Sequence, residues 1–433
     1  MNMLKRRKWF YCGNTVARLK DFRVILFAPI MKFKKIHYII LLGIILRISA
    51  TIIWGDFTKN YYWEYGEITK NILHGNGYSL FYMENSELQH QFKEDINPAK
   101  SAYMPPGYVF FLLPFMYLND IAVRNVLIYL FHILFASIVI YLVYLLTKKI
   151  FNERTAIVAA IISALLPEFI YAVLSFSPTV IYHLLVLSIL IIFLNFEKIK
   201  FRYLYIAFLI ALTIYFRSEF VLFFLMIVLF FLLKKQYIIS TKLFFIVLIL
   251  ILPWSIRNYL VFEKVVPLST SFGLNLYRGN NAEGIGSWGE DETEAKISML
   301  GMDNLELEVN KIYQSKAVEF FQANPDQVIK NAFVKLYYFW VYYPNEQRSA
   351  HPVYLIPSIF LLLFFLYGIV VSYDWKKHHF TYMFLIFSTI VVVIFFPMAR
   401  YQTMMKIAMI PFASYGISKI VDFFVPKFKK GKQ

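Results

Sequence analysis

The chain is written as long apolar runs separated by short polar connections. Apolar stretches fall at about 38–54, 123–147, 155–174, 178–195, 203–217, 219–233, 242–257, 352–372, 380–397 and 404–423. A helix needs roughly 18 or more apolar residues to cross the hydrocarbon core of a bilayer. The pattern therefore predicts an all-α polytopic membrane protein with about ten transmembrane helices or more. A membrane β-barrel would show alternating segments of about ten residues instead. One further apolar piece, Gly107–Leu118, follows Pro105-Pro106. It is too short to span comfortably and reads as interfacial or re-entrant.

The polar stretches divide the chain into a basic arm (1–37), a bundle (38–257) whose first loop is 55–122, a long polar segment (258–351), a second set of helices (352–423) and a basic tail (424–433). Turn chemistry opens the long segment at Gly279-Asn280-Asn281 and Gly284-Ile285-Gly286. Helix-like stretches follow at Glu292–Phe321 and Asp326–Trp340, broken at Asn324-Pro325. The segment reads as a small helical cap. No internal repeat or low-complexity region is present.

Composition agrees with the pattern. Of 433 residues 59% are hydrophobic, mean hydropathy is +0.57, and soluble chains are nearer 45–50% apolar. The formal charge of +17 would suggest nucleic acid in a soluble protein. Here the lysines and arginines sit between spans. The N-terminal arm, the turn Lys148–Arg154, Lys198, Lys200 and Arg202, Lys234, Lys235 and Lys242, Lys376 and Lys377, and the tail Lys427–Lys432 all fall on one side of a ten-span chain. By the positive-inside rule that side is the cytoplasm. The expectation is a multi-pass protein of the plasma (inner) membrane with both termini cytoplasmic and no nucleic-acid partner. Cys12 is the only cysteine, which rules out an intramolecular disulfide and a Cys-based zinc cluster. The basic head has no compact apolar region with a cleavage site after it, so the first long run reads as a retained span.

Sidedness then selects the candidate chemistry. Arg217, Arg257 and Arg400 stand at span ends on the face opposite the basic loops. An anionic ligand is one reason for them there, because arginine forks match phosphate oxygens. Snorkelling, or pairing as of Arg217 with Glu219, is the other. Arg47, inside the first span, is expected to face the bundle interior and pair structurally. The first outer loop carries Asp56, Glu64 and Glu67. A carboxylate at the membrane surface can take the proton of an acceptor hydroxyl or amine. Glu64 and Glu67 lie three apart, near one helix face; Glu67 reads as a solvated acid, and Asp56 and Glu64 stay open. Asn76, between Gly75 and Gly77, reads as a helix stop with a left-handed turn. Pro105-Pro106-Gly107 reads as a rigid kink. The stretch Gly273–Asn281 is no dinucleotide fingerprint. The eight histidines show no ligand spacing and the outer loops hold no Asp-x-Asp, so neither a metal site nor a cofactor is expected.

Taken in order, four phrases resemble the GT-C class of membrane glycosyltransferases, and within it the family 39-like group of protein O-mannosyltransferases and the lipid A aminoarabinose transferase. They are Asn71-Ile72-Leu73-His74-Gly75-Asn76-Gly77-Tyr78-Ser79 after an acidic loop, Tyr103–Tyr108, Pro253–Tyr259 with Leu274–Asn281 beyond it, and Arg400-Tyr401. The likeness runs from about 38 to 415. It implies a GT-C-like bundle, a polyprenyl-phosphate-linked sugar donor, and transfer at the extracytoplasmic face to a lipid, glycan or protein acceptor. The family's catalytic acid falls at Glu64 when matched from Tyr65 and at Asp56 when matched from the end of the first span. Arg257 and Arg400, with Arg217 in support, are implied to hold the lipid phosphate. Tyr65, Tyr103, Asn258 and Arg278 join the substrate-binding set. The chain departs from the family where Ser177 is followed by Pro178 in place of a Ser-Glu phrase. Two rival readings are a lipid-linked-sugar flippase, which would want inverted repeats and mid-membrane charges, and a polysaccharide polymerase or ligase.

Overall fold

The computed structural model describes residues 34–84, 87–282, 285 and 304–430. The arm before Lys34 with Cys12, Gly284 and Gly286 of the expected turn, the first part of the helix expected from Glu292, and the end of the tail lie outside the described residues. Seventeen α-helices and one two-stranded hairpin make up the described chain.

The helices follow the apolar runs. In chain order they are α1 (Lys35–Trp54), α2 (Trp63–Leu73), α3 (Pro106–Met116), α4 (Ile121–Ile150), α5 (Glu153–Leu165), α6 (Pro167–Leu174), α7 (Thr179–Phe193), α8 (Arg202–Phe216) and α9 (Phe220–Leu233). Then come α10 (Tyr237–Phe262), α11 (Phe272–Gly279), α12 (Leu305–Ala323), α13 (Pro325–Trp340), α14 (Gln347–Ala350), α15 (Pro352–Val371), α16 (Trp375–Ile394) and α17 (Ala399–Lys430). The hairpin pairs β1 (Tyr82–Glu84) with β2 (Glu87–Gln89), Met83 opposite Leu88. By length and composition six helices can cross a membrane: α1, α4, α10, α15, α16 and α17 up to Phe424. The pair α5/α6 adds a seventh if counted as one bent span. The other three expected spans are α7, α8 and α9, apolar but only 14–15 residues long.

Three differences from the sequence reading have physical causes. The run 155–174 is not one helix but α5 and α6, bent by 48°. Pro167 has no N–H, and its ring clashes with the carbonyl four residues back, that of Ser163. Arg47 fills the gap from α1: Nη2 donates to Ser163 O (3.2 Å) and Nη1 to Ala164 O (3.2 Å) and Gly43 O (3.0 Å). Its interior placement is as expected, with backbone carbonyls as partners. Second, α10 runs beyond 257 to Phe262, with Pro253 inside it. Third, the Gly- and Asn-rich stretch before Asn280 forms a short helix, α11, rather than a turn alone.

The core is shared by α4, α7, α8, α9, α16 and α17. α15 and α17 cross closely through small residues. A Cβ at Gly368 would lie 1.9 Å from Phe412 O, and one at Gly416 2.6 Å from Phe364 O, so the backbones touch as at glycine-mediated membrane crossings. α2 packs on α3, and α3 in turn packs on α4 and α8. α3 packs on the end of α8, where a Cβ at Gly107 would meet Tyr215 O at 2.7 Å.

Candidate active site

The first loop is held rigid by its own polar side chains. Asn71 Nδ2 donates to Ser79 O (3.0 Å), while its Oδ1 accepts from Tyr82 Oη (2.7 Å) and Asn76 Nδ2 (3.1 Å). The left-handed positions after α2 are Gly75 (φ +83°) and Gly77 (φ +69°), not Asn76, because glycine takes that conformation at no steric cost. Glu67 is not solvated. It is 1% exposed, accepting from Lys70 Nζ (2.8 Å) and from the Phe92 N–H (2.7 Å). From α10, Arg257 donates to Ser101 O (2.6 Å), Tyr78 O (2.9 Å) and Asn258 Oδ1 (3.1 Å), against the Tyr78 and Trp254 rings. Asn258 is buried and donates to Val266 O (3.0 Å). From α12, buried Glu306 accepts from Ala102 N (2.9 Å) and Thr270 Oγ1 (2.5 Å). Burial pushes its carboxyl from 4.5 up to about 7, against those hydrogen bonds.

On this scaffold α2 begins at Trp63, whose φ of +56° puts a bulky residue in the left-handed region. Such strain persists only where the surroundings impose it, and it gathers at functional sites. The next residue is Glu64, half-buried, with no hydrogen bond or ion pair among the described residues. Tyr65 follows, edge-on to Tyr108 at 5.2 Å. Its phenol is pushed up to about 12, chiefly by burial; Glu64 and Glu219 add to this, while Arg217 and Arg400 oppose it. Tyr103 is likewise raised by burial and by Glu64, opposed by Arg278 and Arg400. One field thus joins residues from five elements. Arg217, just past α8, donates Nε to Glu219 (2.6 Å) and lies 5.0 Å from the Tyr401 ring centre. Arg278 on α11 lies 4.5 Å from that of Phe396. Burial lowers its guanidinium below the ordinary arginine value, and Arg400 pushes the same way.

Two pinning contacts set α11 against the α16–α17 connection. A Cβ at Gly279 would sit 1.7 Å from Phe395 O. Fully buried Lys335 on α13 donates to Asn280 Oδ1 (2.8 Å) and Val393 O (2.9 Å), and Asn280 Nδ2 donates to Ile394 O (2.9 Å). Burial lowers the Lys335 ammonium from 10.5 to about 7.

A cavity of about 420 Å³ opens at this point, lined among others by Trp63, Glu168, Arg278, Tyr343, Arg348 and Arg400. Beside it lies an apolar groove of about 390 Å³, lined by Leu268, Phe272, Phe395, Phe396, Glu219 and Tyr401. The arrangement offers several arginines in a polar chamber next to an apolar groove, with Glu64 one residue along from the lining Trp63.

Of the residues singled out in the sequence, Arg278 and Arg400 line the cavity, while the charges of Glu64, Arg217 and these two arginines act on the Tyr65 or Tyr103 phenols. Asp56 does not join them. It is exposed, and its Oδ1 accepts from Thr58 N (3.0 Å) and Thr58 Oγ1 (2.9 Å), bonds that hold its carboxyl below the usual value. Arg257 and Asn258 serve the loop and helix backbone. Sequence reasoning missed Glu168, Lys406 and Arg348. Glu168 and Lys406 are ionisable residues inside expected spans, the signal that marks intramembrane function. Among the described residues no group of three or more His, Cys, Asp or Glu could hold a metal.

The molecule therefore shows a helical bundle with a chamber lined by arginines, to which the first loop contributes Trp63. Residues 104–256 match the family model described as dolichyl-phosphate-mannose-protein mannosyltransferase. Among solved structures the chain resembles the Archaeoglobus fulgidus oligosaccharyltransferase complex with zinc and sulfate at 14% identity and a TM-score of 0.53, covering 90% of this chain and 49% of that one. It resembles the same organism's oligosaccharyltransferase tethered to an acceptor peptide at 12% and 0.55, covering 89% and 50%. It also resembles archaeal oligosaccharyltransferase AglB from Archaeoglobus fulgidus with an inhibitory peptide and a dolichol-phosphate at 14% and 0.52, covering 89% and 50%. No curated protein matches the sequence. The chain spans about half the length of these structures. At such identities the likeness is one of fold: the chain has the GT-C fold that its sequence phrases resembled.

Proposed function

We propose that this protein is a GT-C glycosyltransferase that moves a sugar from a polyprenyl-phosphate-linked donor to an acceptor hydroxyl or amine. The observation that carries the reading is the chamber lined by Arg278 and Arg400 beside an apolar groove, with Trp63 in its wall and Glu64 the next residue on α2. Glu64 takes the acceptor proton as the acceptor oxygen or nitrogen bonds to the anomeric carbon. The bond from that carbon to the phosphate oxygen breaks, and the lipid phosphate leaves with the electron pair. Arg278 and Arg400 stabilise the charge it gains. Arg217, already paired with Glu219, holds Tyr401 and the apolar groove in place, and the groove takes the first units of the lipid chain. Asp56 shapes the turn into α2, and Arg257 with Asn258 fixes the loop. Basic connections orient the chamber to the extracytoplasmic side of the plasma membrane, with both termini in the cytoplasm.

The test is transfer from undecaprenyl-phosphate hexoses in membranes that carry Glu64→Gln, Arg278→Gln or Arg400→Gln. Each is expected to lose most of its activity. Unchanged transfer in all three would overturn the assignment.

A further inference from the structure

We propose that α13 is not part of a cap in water but dips into the bilayer, meeting the hydrocarbon of the chamber-side leaflet with the stripe Ile329, Phe333 and Tyr337. These residues recur at every fourth position and share one helix face. They are 58%, 68% and 52% exposed, a run of large apolar surface that a helix surrounded by water does not leave bare. The opposite face is already occupied. Asn331, Lys335 and Phe339 are buried, and Phe339 joins the core built with α16 and α17.

The surroundings of α13 identify lipid as what covers the stripe. Polarity changes along the helix. Asp326, Gln327 and Lys330 are exposed in its first half, and beyond Lys330 the exposed side chains are Phe333, Val334 and Tyr337. The helix packs on α16, which is long and apolar enough to span, and Lys335 Nζ ties it to Val393 O near the end of that helix (2.9 Å). From there α13 goes deeper. The Trp340 ring stacks on Phe365 at 5.8 Å, and Phe365 lies past the middle of the 20-residue α15, another candidate span. At 1.5 Å per residue the stretch from Lys330 to Trp340 covers about 15 Å, half of a hydrocarbon core roughly 30 Å thick. A chain that turns back at such a depth must be buried in protein or line a watery cavity. Val341, Tyr342 and Tyr343, the next residues, line the polar chamber. One wall of the chamber is therefore seated in lipid through α13.

Cys12 is the only cysteine, so Cys12→Ser combined with Phe333→Cys, Tyr337→Cys or Gln322→Cys takes a single spin label. Full-length labelled protein in phosphatidylglycerol nanodiscs would be read by power-saturation EPR against oxygen, which concentrates in lipid, and a nickel chelate, which stays in water. Labels at Phe333 and Tyr337 are expected to collide more with oxygen than with the chelate, and the label at Gln322, exposed on α12, to show the reverse. Chelate access at Phe333 or Tyr337 equal to that at Gln322 would put the stripe in water. Shielding from both reagents would put a protein, or a second copy of this chain, on it. Either result overturns the proposal. If a substituted protein fails to fold by circular dichroism, the unaltered chain carries the test in nanodiscs doped with a phosphatidylcholine that bears a diazirine in mid-chain. Photolysis is expected to label α13 peptides as it labels those of α15. Labelled α15 with unlabelled α13 would overturn the proposal. Neither readout depends on sugar transfer, so failure here leaves the glycosyltransferase reading untouched.

Discussion

Arg47 on the first helix donates to the carbonyl of Ser163, the acceptor whose helical partner would have been the N–H that Pro167 lacks. The arginine replaces the missing bond and lets α6 turn away from α5 without leaving buried carbonyls unmatched. Arg47→Lys keeps the charge but loses the fork. It is expected to lower stability by about 1–3 kcal/mol, the cost of one unmatched buried group. A thermal melt of purified protein reads the loss as a lower midpoint. A midpoint equal to wild type would show that water or a neighbour satisfies Ser163 instead.

Glu64 and Asp56 were equivalent candidates by sequence, and the structure puts them in different surroundings. Glu64→Gln is expected to lower kcat by roughly 10²–10⁴-fold, the usual contribution of a general base, with little change in donor binding. Asp56→Asn breaks no contact with an arginine and weakens only the turn made with Thr58. It is expected to keep activity within a few-fold. Initial rates at saturating donor decide between them, and the reverse ranking would move the base to Asp56.

The legibility of this fold follows from how local each signal is. Long apolar runs and Lys/Arg connections are local, so most helices were readable, including the Asn324-Pro325 break between α12 and α13. The break at Pro167 was written in the sequence but lost inside a run apolar on both sides. Glu67 read as solvated because, beside the local Lys70, its second partner, the Phe92 N–H, is 25 residues away. The pair Glu168–Lys406 joins residues 238 apart, so no spacing rule reaches it. Only the cost of placing ions within a span pointed to either residue. Arginine alone could not show which cations face a ligand: Arg257 and Arg400 look alike in sequence, yet one binds the loop backbone and the other lines the chamber.

That distinction is testable. Arg400→Gln and Arg278→Gln are expected to weaken undecaprenyl phosphate binding by about 10–100-fold each, the range for a hydrogen bond to a charged group, while leaving the melting temperature close to wild type. Arg257→Gln should do the opposite. It releases Ser101 O and Tyr78 O, and so lowers stability and opens the 78–104 stretch to protease. Binding isotherms and limited proteolysis on the same three variants read both effects. Weakened binding in Arg257→Gln without loss of stability would return that arginine to the phosphate.

Two buried groups outside the spans give the protein an unusual pH response. Glu306 is raised from 4.5 to about 7 by burial. Between those values the folded state holds a proton that the unfolded state has lost, so Glu306 contributes stability that is full below about 4.5 and lost as pH rises through about 7. Lys335 is lowered from 10.5 to about 7. Its contribution has the opposite sense: full above about 10.5 and lost as pH falls toward 7. Their combined contribution is smallest near neutral pH, with the Glu306 limb worth up to about 3 kcal/mol at 1.36 kcal/mol per pH unit. Glu306→Gln is expected to flatten the fall between about 4.5 and 7, and Lys335→Met to flatten the rise above 7. Midpoints of chemical denaturation at half-unit pH steps, taken as variant minus wild type, isolate each limb from the other titrating groups. A difference curve for Glu306→Gln that stays level across that window would mean the carboxyl is ionised in the folded protein. Its hydrogen bonds from Ala102 N and Thr270 Oγ1 would then outweigh the burial that opposes them.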